Sequence, residues 1–456
     1  MIGNLGCVGG GGGDILTAAP VRFDGAATGA VSQLTSNLMG TVTFSKVSGA
    51  ANVTVASNGA VSIGTALGVD GSAGFVARAA NGTGDAVEAS VTLTGAPPTI
   101  LPNFKAAVAA VRAGTSNAAI WLQGDSTTAG EGAGVVPGNG IGPNVFTNAY
   151  PYTVAHLLAA DYTAQVGGAG CRAVEDGFVG SQLLNGTTYP GYDSRVGMGS
   201  WTASGGGGYI ASTAAGAMFS MTFANACNQV NFAMRNTLVG AMDVYAADGT
   251  TLLGTISADT TSATTFQSLS VPAGTTGIKL SYKSGTPQVY LIQPINTLIK
   301  QMYIYKNGWP ATTLSSVAGQ SGLASPRNII VNVRPSLVII DSYINEATNP
   351  AVNTEAVYKA SLQAFVDTAK AAGAEVLFVF GNWASATSAN APTYKGYMQD
   401  VATANNCPLF DLTSYSDFAS FSVQTANGYM DGGSTHLSQS GYAAKEAHLR
   451  QFLGLS

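Results

Sequence analysis

Hydrophobic and polar residues alternate in short runs over the first part of the chain. Between residues 17 and 96, runs such as GTVTFSKV, ANVTVAS and EASVTLTG are separated by Asn-Gly steps and paired glycines. A period of two residues places successive side chains on opposite faces of a strand, and glycine-rich steps are typical of the turns between strands. The pattern therefore predicts a small β-sandwich over 17–96, and we interpret residues 1–16 as a flexible glycine-rich lead.

The hydrophobic period becomes that of a helix near residue 103. One apolar face of a short helix is formed by Phe104, Ala107, Val108 and Val111. Asn103 is predicted to be the N-cap of this helix. The run AAIWLQ that follows is predicted to be a buried strand, and it leads directly into Gly-Asp-Ser.

The alternation of helix and strand resumes near the end of the chain. It comprises strands at PSLVIID, EVLFVFG and CPLFDL and helices at 354–372, 391–405 and about 440–453. Strands that alternate with helices predict a parallel sheet covered on both faces. Residues 97–161 and 300–456 are therefore expected to form one discontinuous α/β domain.

The middle of the chain departs from this rhythm. Residues 162–299 contain alternating runs such as MFSMTF, QVNFAMR and GIKLSYK, with an Asp-Gly turn in YAADGTTLLG and no convincing helix. The pattern predicts a second β-sandwich that is inserted within the α/β domain. Surface loops tolerate such insertions because the two ends of a domain lie close together.

Composition narrows the range of partners and compartments. Charged residues form only 9% of the 456 residues, against about a quarter in an average protein. With a net charge of −5, the chain is not expected to bind nucleic acid or an anionic membrane. No apolar run is long enough to cross a bilayer, and the N-terminus has neither the basic start nor the apolar core of a signal peptide. We expect an extracellular or virion-associated protein.

Four short segments place chemistry-bearing residues at the ends of predicted elements. Ser126 follows AAIWLQ, Gly308 follows a strand-like run in MYIYKNGW, and Asn345 lies just past PSLVIID. His436 lies in a loop immediately before the last helix. Gly-Asp-Ser alone is more typical of an ordinary turn, but an acyl-transfer site needs a nucleophile, a base and donors that face the developing oxyanion. Strand ends of one sheet can bring all of these together.

The order Ser, Gly, Asn, His resembles the SGNH, or GDSL-type, hydrolases. QGDSTTAG matches the first sequence block of this family, which implies that Ser126 is the nucleophile. NGWPATT resembles the second block, so Gly308 is implied as an oxyanion donor beside the Ser126 and Asn345 nitrogens. The resemblance covers about 97–160 and 300–456, and it implies a flavodoxin-like three-layer α/β/α fold and a serine hydrolase that needs no cofactor.

Two blocks depart from the family pattern. The third usually reads Gly-x-Asn-Asp and here reads YINE, so only Asn345 carries over. In the last block an Asp usually stands three residues before the His, but Gly433 occupies that position before His436. Asp431, the nearest acid, completes a catalytic triad if the loop bulges. Alternatively, a backbone carbonyl holds the imidazole and the site is a Ser-His dyad.

The remaining candidates are interpreted as structural. His156 in YTVAHLLAA is predicted to pack in an apolar helix, His448 in KEAHLRQ to face solvent, and Asp411 to be a cap rather than a site residue. Four scattered cysteines do not suit a disulfide framework or a zinc knuckle, and Cys171 and Cys227 either pair or remain buried thiols. No run has the spacing of a calcium-binding loop, so no metal is predicted.

The long separation between Ser126 and Gly308 is explained by the inserted sandwich. It is similar to the arrangement in some bacterial SGNH polysaccharide and peptidoglycan O-acetylesterases, where the insert resembles a carbohydrate-binding module. Residues 17–96 resemble the Ig-like or cadherin-like repeats of surface and phage tail proteins. These resemblances imply a serine esterase that removes O-acetyl groups from a polysaccharide or glycan through an acyl-enzyme intermediate. For the two β modules the resemblance concerns the fold alone, and a shared fold does not by itself establish a shared function.

Two other functions stay open. SGNH sites accept many acyl chains, so a general lipase or carboxylesterase is the first alternative. A non-catalytic virion or cell-surface protein that binds glycans is the second, and the altered YINE and DGGSTH motifs favour it. The expected partner is an acetylated glycan. A homo-oligomer or a place in a virion tail is compatible with this architecture, although no heptad or β-helix repeat in the sequence requires a trimer.

Overall fold

The computed structural model describes most of the chain in two compact units. The described residues are 7–8, 15–19, 22–24, 29–65, 72–96, 100–134, 152–166, 171–175, 178–179, 195–203, 210–234, 240–258, 265–319, 325–385, 389–432 and 435–455. The units are Met1–Ile100 and Leu101–Ser456. Within these residues, no helix combines the length and the apolar character that a membrane span requires.

The first unit consists of two sheets. Its strands are β1 (Cys7–Val8), β2 (Ile15–Ala19), β3 (Arg22–Asp24), β4 (Gly29–Ser36), β5 (Val42–Gly49), β6 (Val53–Val55), β7 (Ala60–Ile63), β8 (Ser72–Asn81) and β9 (Ala86–Ala96). One sheet has the order β1-β2-β4-β7-β6 and the other β3-β9-β8-β5. Alternate residues of β8, such as Phe75 and Ala77, are buried in a core that also includes Leu34 and Val61 of the other sheet. The Ig-like character of this unit stays a prediction, and β1 shows that the predicted flexible lead contains strand.

The second unit contains the remaining strands. They are β10 (Ala118–Gly124), β11 (Cys171–Glu175), β12 (Phe178–Val179), β13 (Val196–Gly197), β14 (Thr202–Ala203), β15 (Ile210–Ala211), β16 (Met218–Met234), β17 (Gly240–Ala246), β18 (Leu252–Ala258), β19 (Thr265–Gly285), β20 (Gln288–Ile295), β21 (Lys300–Gly308), β22 (Leu337–Asp341), β23 (Glu375–Phe380) and β24 (Leu409–Asp411). They form a parallel six-stranded sheet, in the order β11-β21-β10-β22-β23-β24, and a nine-stranded sheet built from β12 to β20.

The helices of this unit are α1 (Pro102–Arg112), α2 (Ser126–Ala129), α3 (Val154–Val166), α4 (Leu314–Ala318), α5 (Pro326–Val333), α6 (Ile344–Thr348), α7 (Glu355–Ala371), α8 (Ala391–Asn405), α9 (Phe421–Ala426) and α10 (Gln439–Leu453), with 3-10 turns at Leu412–Ser414 and Ser416–Phe418. Helices α4, α5, α7 and α8 share a core with Trp121, Val338 and Phe378 on one face of the parallel sheet. Leu122 and Ile339 on the other face meet α3 and α10. This arrangement confirms the predicted α/β domain with a parallel sheet.

The order in which strands are added to the parallel sheet reverses at β10. Every residue of β10 is buried, as expected for a central parallel strand covered on both faces. Strand β10 lies between β21 and β22, and without the edge strand β11 the order is the flavodoxin-like 2-1-3-4-5. In such sheets, ligands bind outside the carboxyl end of the strand where the order reverses. The sequence Gly-Asp-Ser occupies that position.

Two details of the sequence-based boundaries are wrong. Helix α3 continues to Val166, and β11 pairs in parallel with β21, so residues predicted to belong to the insert at 162–299 are part of the α/β domain. Helix α1 begins at Pro102 with Leu101, not Asn103, as its N-cap. Proline suits the first helical position because its φ is already helical and its missing N–H has no partner there.

The inserted segment forms a long, irregular sheet. Strands β16 and β19 pair antiparallel over most of their length, with register shifts near Cys227. The strands from β12 to β20 are connected in one hydrogen-bonded sheet, so the predicted sandwich and its carbohydrate-binding character stay predictions. Cys227 is a buried free thiol, which excludes the disulfide with Cys171 that the sequence left open.

Candidate active site

Ser126 lies at the start of a short helix at the carboxyl end of β10. Asp125 is the N-cap of α2, and its Oδ1 accepts a hydrogen bond of 2.9 Å from the Thr127 backbone nitrogen. The strand end is packed too tightly for side chains. A Cβ at Gly124 would lie 1.9 Å from Thr128 Oγ1, and one at Gly308 would lie 2.2 Å from the Ala129 nitrogen. Glycine at both positions therefore holds the Ser126 turn against the ends of β10 and β21.

The structure brings His436 to Ser126, as the motifs predict. His436 Nε2 lies 2.8 Å from Ser126 Oγ, and the histidine is only 6% exposed. The histidine loop folds back on itself through a bridge between Met430 and Leu437 and a 3.1 Å hydrogen bond from the Asp431 nitrogen to the His436 carbonyl. Burial lowers the pKa of His436 to about 4, so its imidazole is neutral near pH 7 and able to accept a proton.

Asp431 lies on the other side of the imidazole. Its Oδ2 is 4.0 Å from His436 Nδ1, longer than a hydrogen bond but within ion-pair range, and the residue is buried. The carboxylate therefore faces the nitrogen that a triad acid would orient. Gly433, where the family pattern has its Asp, lies outside the described residues. Whether Asp431 completes a triad stays a prediction.

Glu131 is a site residue that the sequence analysis missed. Its Oε2 lies 3.4 Å from His436 Nε2, the atom that contacts Ser126. The Glu131 nitrogen donates to the Ser126 carbonyl at 2.9 Å, and the Tyr442 hydroxyl donates to the Glu131 carbonyl at 2.9 Å. Burial, followed by the charge of Asp431, raises the pKa of Glu131 to about 7. The one signal in the sequence is an acid directly after QGDSTTAG.

The predicted oxyanion donors lie on two other strand ends. Gly308 is the last residue of β21, and Asn345 lies in α6, just past β22. Asn345 Nδ2 donates a 2.8 Å hydrogen bond to the Thr312 carbonyl, so the Asn345 side chain is tied to the turn that follows Gly308. Ala311 in that turn has a left-handed φ of 55°, a conformation that costs a non-glycine residue about 1 kcal/mol or more. Nothing in the sequence marked Ala311.

Further acids, buried or half-buried, lie close to the Ser126 turn. Burial, then the charges of Asp341 and Glu346, raises the pKa of Asp125 to about 7. Asp341, at the end of β22, forms an ion pair with Lys445 of α10, with 2.5 Å between Asp341 Oδ2 and Lys445 Nζ. Glu346 is also buried, and its Oε1 accepts from the Leu314 nitrogen at 2.5 Å. The sequence analysis did not identify this cluster, whose members come from four separate segments.

The predictions for the residues interpreted as structural are confirmed in one case and wrong in another. Asp411 accepts hydrogen bonds from the Thr413 nitrogen and hydroxyl, which confirms its role as a cap. The prediction that His448 faces solvent is wrong, because its ring is half-buried, lies 4.0 Å from the Tyr415 ring centre and pairs with Asp417 at 3.0 Å. His156 is half-buried in α3. Within the described ranges, no group of three or more His, Cys, Asp or Glu side chains has the arrangement of a metal site.

A separate cavity lies at the opposite, amino end of the parallel sheet. It has a volume of about 340 Å³ and lies between the starts of β10 and β22, marked by Ala118 and Ser336, and strands β16, β19 and β20 of the nine-stranded sheet. Ser126 and His436 do not line this cavity, so it is distinct from the site at the carboxyl end.

Comparison with known proteins finds a similar fold among solved structures. No family model and no curated protein matches the sequence. A solved peptidoglycan O-acetylesterase is 15% identical, with 77% of this chain and 95% of that chain covered and a TM-score of 0.54. A family two carbohydrate esterase from Clostridium thermocellum, solved with cellohexaose, is 11% identical over 57% of this chain and 100% of its own, with a TM-score of 0.25.

A lipase/acylhydrolase from Enterococcus faecalis is 19% identical, with 34% of this chain and 77% of that chain covered and a TM-score of 0.28. At these identities a likeness shows the fold alone. The likeness to the peptidoglycan O-acetylesterase therefore shows a fold shared with that protein, in agreement with the α/β fold that the motifs imply.

Proposed function

We propose that the protein is a serine esterase that removes O-acetyl groups from a polysaccharide or glycan through an acyl-enzyme intermediate. The observation that carries the proposal is the 2.8 Å contact between Ser126 Oγ and His436 Nε2 at the carboxyl end of β10. A nucleophile within hydrogen-bond reach of a buried neutral imidazole, at the reversal point of a parallel sheet, is the arrangement that acyl transfer requires.

The reaction follows from the two groups in contact. His436 Nε2 takes the Ser126 hydroxyl proton while Oγ attacks the ester carbonyl and forms a tetrahedral intermediate. The intermediate collapses as the imidazolium passes this proton to the departing sugar oxygen, which leaves an acetyl group on Ser126. His436 then takes a proton from water, the hydroxide attacks the acetyl carbonyl, and the proton returns to Ser126 as acetate departs.

The negative oxygen of each tetrahedral intermediate needs donors that are already in place. We assign this role to the backbone N–H groups of Ser126 and Gly308 and to the Asn345 amide. The Asn345 amide nitrogen carries two hydrogens and uses one of them to bond the Thr312 carbonyl, which fixes its orientation. Removal of one such donor typically lowers turnover by about 10²–10³.

Acetyl is proposed over longer acyl groups, with a glycan as the carrier. Support comes from the fold shared with a peptidoglycan O-acetylesterase, with 77% of this chain and 95% of that chain covered. A general lipase is the alternative within the same chemistry. We further propose an extracellular or virion-associated location, where acetylated glycans are accessible.

The test is hydrolysis of p-nitrophenyl acetate and butyrate by the wild type, Ser126→Ala and His436→Ala. We expect faster turnover of acetate, and a loss of at least about 10³ in kcat/KM in both variants, because neither half of the pair acts alone. Ser422→Ala, at an exposed serine of α9, is the matched control and should behave as the wild type.

Full activity in Ser126→Ala would overturn the mechanism. If the wild type is inactive on both small esters, two measurements separate the explanations. Labelling of Ser126 by a fluorophosphonate and release of acetate from acetylated peptidoglycan or xylan would show an enzyme that demands its polymer. No labelling of the folded protein would favour a glycan-binding protein without catalysis.

A further inference from the structure

We propose that Glu131 is a positioning residue of this site, whose ionised carboxylate stabilises the imidazolium formed at His436 and thereby makes turnover depend on the ionisation of Glu131. The proposal rests on the proposed esterase function. It concerns a residue outside the four sequence blocks, and it gives the site a second acid in addition to Asp431.

The geometry sets Glu131 apart from a triad acid. The imidazole of His436 lies between two carboxyl groups, with Asp431 4.0 Å from Nδ1 and Glu131 3.4 Å from Nε2. Nε2 is also the atom 2.8 Å from Ser126 Oγ, and it carries the proton after Ser126 is deprotonated. Glu131 therefore faces the side of the ring where positive charge and a new N–H appear during the reaction.

Glu131 is held in this position by its own backbone. Its nitrogen donates to the Ser126 carbonyl, and its carbonyl accepts from Tyr442 of α10. The Tyr442 hydroxyl also lies 2.9 Å from the Thr127 carbonyl and shares its one proton between the two carbonyls, so one side chain connects both ends of the nucleophile turn to the helix that follows His436. These hydrogen bonds fix the Glu131 backbone within the turn, so its side chain starts from a fixed point beside the imidazole.

In the free enzyme, burial favours a protonated Glu131 carboxyl group and a neutral His436 imidazole. The pKa of Glu131 is raised to about 7 by burial and by the charge of Asp431, and burial lowers the pKa of His436 to about 4. Between these values the proton is on Glu131 and His436 is neutral. Tyr442, which faces the same region, has a pKa well above its usual value because of burial and the nearby acids, so it stays neutral throughout.

The two protonation states of Glu131 affect His436 in opposite ways. The neutral carboxyl group has an O–H that can donate to Nε2 and compete with the Ser126 hydroxyl for the same lone pair. The carboxylate instead attracts the imidazolium, and an opposite charge at this distance favours a charged form by about 1–3 pKa units. A buried imidazole is a weak base by itself, so ionised Glu131 accelerates proton removal from Ser126. The proton stays on Nε2 and passes to the leaving oxygen, and Glu131 does not take it.

The experiment measures kcat/KM for p-nitrophenyl acetate between about pH 5 and 9. In the wild type we expect activity to rise with a midpoint near pH 7, the pKa of Glu131. In Glu131→Gln the rise near pH 7 should disappear, and activity at alkaline pH should fall about tenfold or more, which corresponds to one pKa unit of lost stabilisation. Glu131→Asp keeps a carboxylate and should restore the rise.

Two further variants separate this role from others. Asp431→Asn removes the charge that raises the pKa of Glu131, so the midpoint should move to lower pH while the rise remains. Glu355→Gln, at an exposed acid of α7, should leave the profile unchanged. If Glu131→Gln lowers activity by the same factor at every pH and keeps the rise near pH 7, Glu131 is merely structural and the proposal is wrong.

An independent readout distinguishes failure of this proposal from failure of the proposed function. The imidazole resonances of His436, followed by NMR against pH, should show an inflection near pH 7 that is lost in Glu131→Gln, whether or not esters are hydrolysed. An inflection without turnover or labelling of Ser126 would refute the esterase and keep the Glu131–His436 coupling. Turnover without the inflection would refute the coupling alone.

Discussion

Two aspartates with the same local role have opposite electrostatic properties in the two sheets of the second unit. Asp125 at the end of β10 accepts from the backbone nitrogen two residues ahead, and so does Asp248 in the turn between β17 and β18. Burial raises the pKa of Asp125 to about 7, whereas the hydroxyl and backbone nitrogen of Thr251 hold the pKa of the exposed Asp248 below its usual range. The hydrogen bond to the nitrogen two residues ahead is present in both, so the opposite shifts come from burial and neighbouring acids at Asp125 and from the further hydrogen bonds of Thr251 at Asp248.

This difference separates the carboxyl end of the parallel sheet, where the proposed active site lies, from the nine-stranded sheet. At the carboxyl end of the parallel sheet, Asp125, Glu131 and Glu346 are all buried, and each has a raised pKa. On the nine-stranded sheet, acids lie near the surface beside partners, as in the Lys283–Asp243 ion pair. Groups whose pKa values are moved toward neutrality by burial cluster at functional sites, because proton transfer needs them there.

The largest effect on stability is expected at the ion pair between the buried Lys445 and the half-buried Asp341. In Lys445→Met the cation that pairs with Asp341 at 2.5 Å is lost, which leaves a carboxylate beside Asp125 without its counter-charge. Removal of one partner of a buried pair costs about 3–5 kcal/mol. We expect a loss in this range in the free energy of unfolding by urea at neutral pH.

Lys283→Met is the matched control on the nine-stranded sheet. Its ion pair with Asp243 spans 2.8 Å, but the lysine side chain is 47% exposed. Exposed pairs contribute about 1 kcal/mol or less. Equal losses in the two variants would contradict the contrast between the two regions.

The next largest effect is expected at Asp431. In Asp431→Asn the imidazole loses the charge that faces Nδ1, and we expect kcat/KM for p-nitrophenyl acetate to fall about 10–10²-fold. The loss should be smaller than the roughly 10⁴-fold typical of a triad acid in direct hydrogen-bond contact, because the separation is 4.0 Å. Asp243→Asn should leave kcat/KM unchanged. A loss of less than twofold in Asp431→Asn would favour the Ser-His dyad.

The elements that could be predicted from the sequence are those with a strong local signal. The helix predicted near 391–405 is α8, because its buried face repeats at helical spacing and a proline marks its start. The boundary near residue 162 could not be found in this way. Helix α3 is apolar around most of its circumference, and β11 is a five-residue run whose partner, β21, follows only after the whole insert.

The residues of the candidate site also fall into those that a local sequence signal predicts and those that it does not. Ser126 and His436 could be identified because each lies in a short block with a recognisable order. Glu131 and the Asp341–Lys445 pair could not, since their importance comes from burial and from contacts across distant segments. Isolated acids in a sequence carry no sign of the environment that the fold gives them.

A change of pH tests the comparison between the two aspartates directly. In Asp125→Asn the amide oxygen can still cap α2, but the buried charge is gone. Because the pKa of Asp125 is raised in the folded state to about 7, from 3.8, the wild type is stabilised by the protonated form at low pH and loses that stabilisation as pH rises to 7. The variant lacks this carboxyl group, so its unfolding free energy relative to the wild type should be higher at about pH 8 than at about pH 4, by up to about 4 kcal/mol for the shift from 3.8 to about 7.

Asp248→Asn should show the opposite sign. A pKa held below its usual value contributes stability above pH 3.8 that is lost as pH falls, so this variant should be less stable than the wild type at neutral pH and approach it in acid. The measurement is urea unfolding of Asp125→Asn at about pH 4 and about pH 8, and of Asp248→Asn at neutral pH and at a pH below 3.8. If the difference from the wild type has the same sign in both, the shared hydrogen bond rather than burial controls these acids, and the assignment of the parallel-sheet end as the reactive region loses its electrostatic basis.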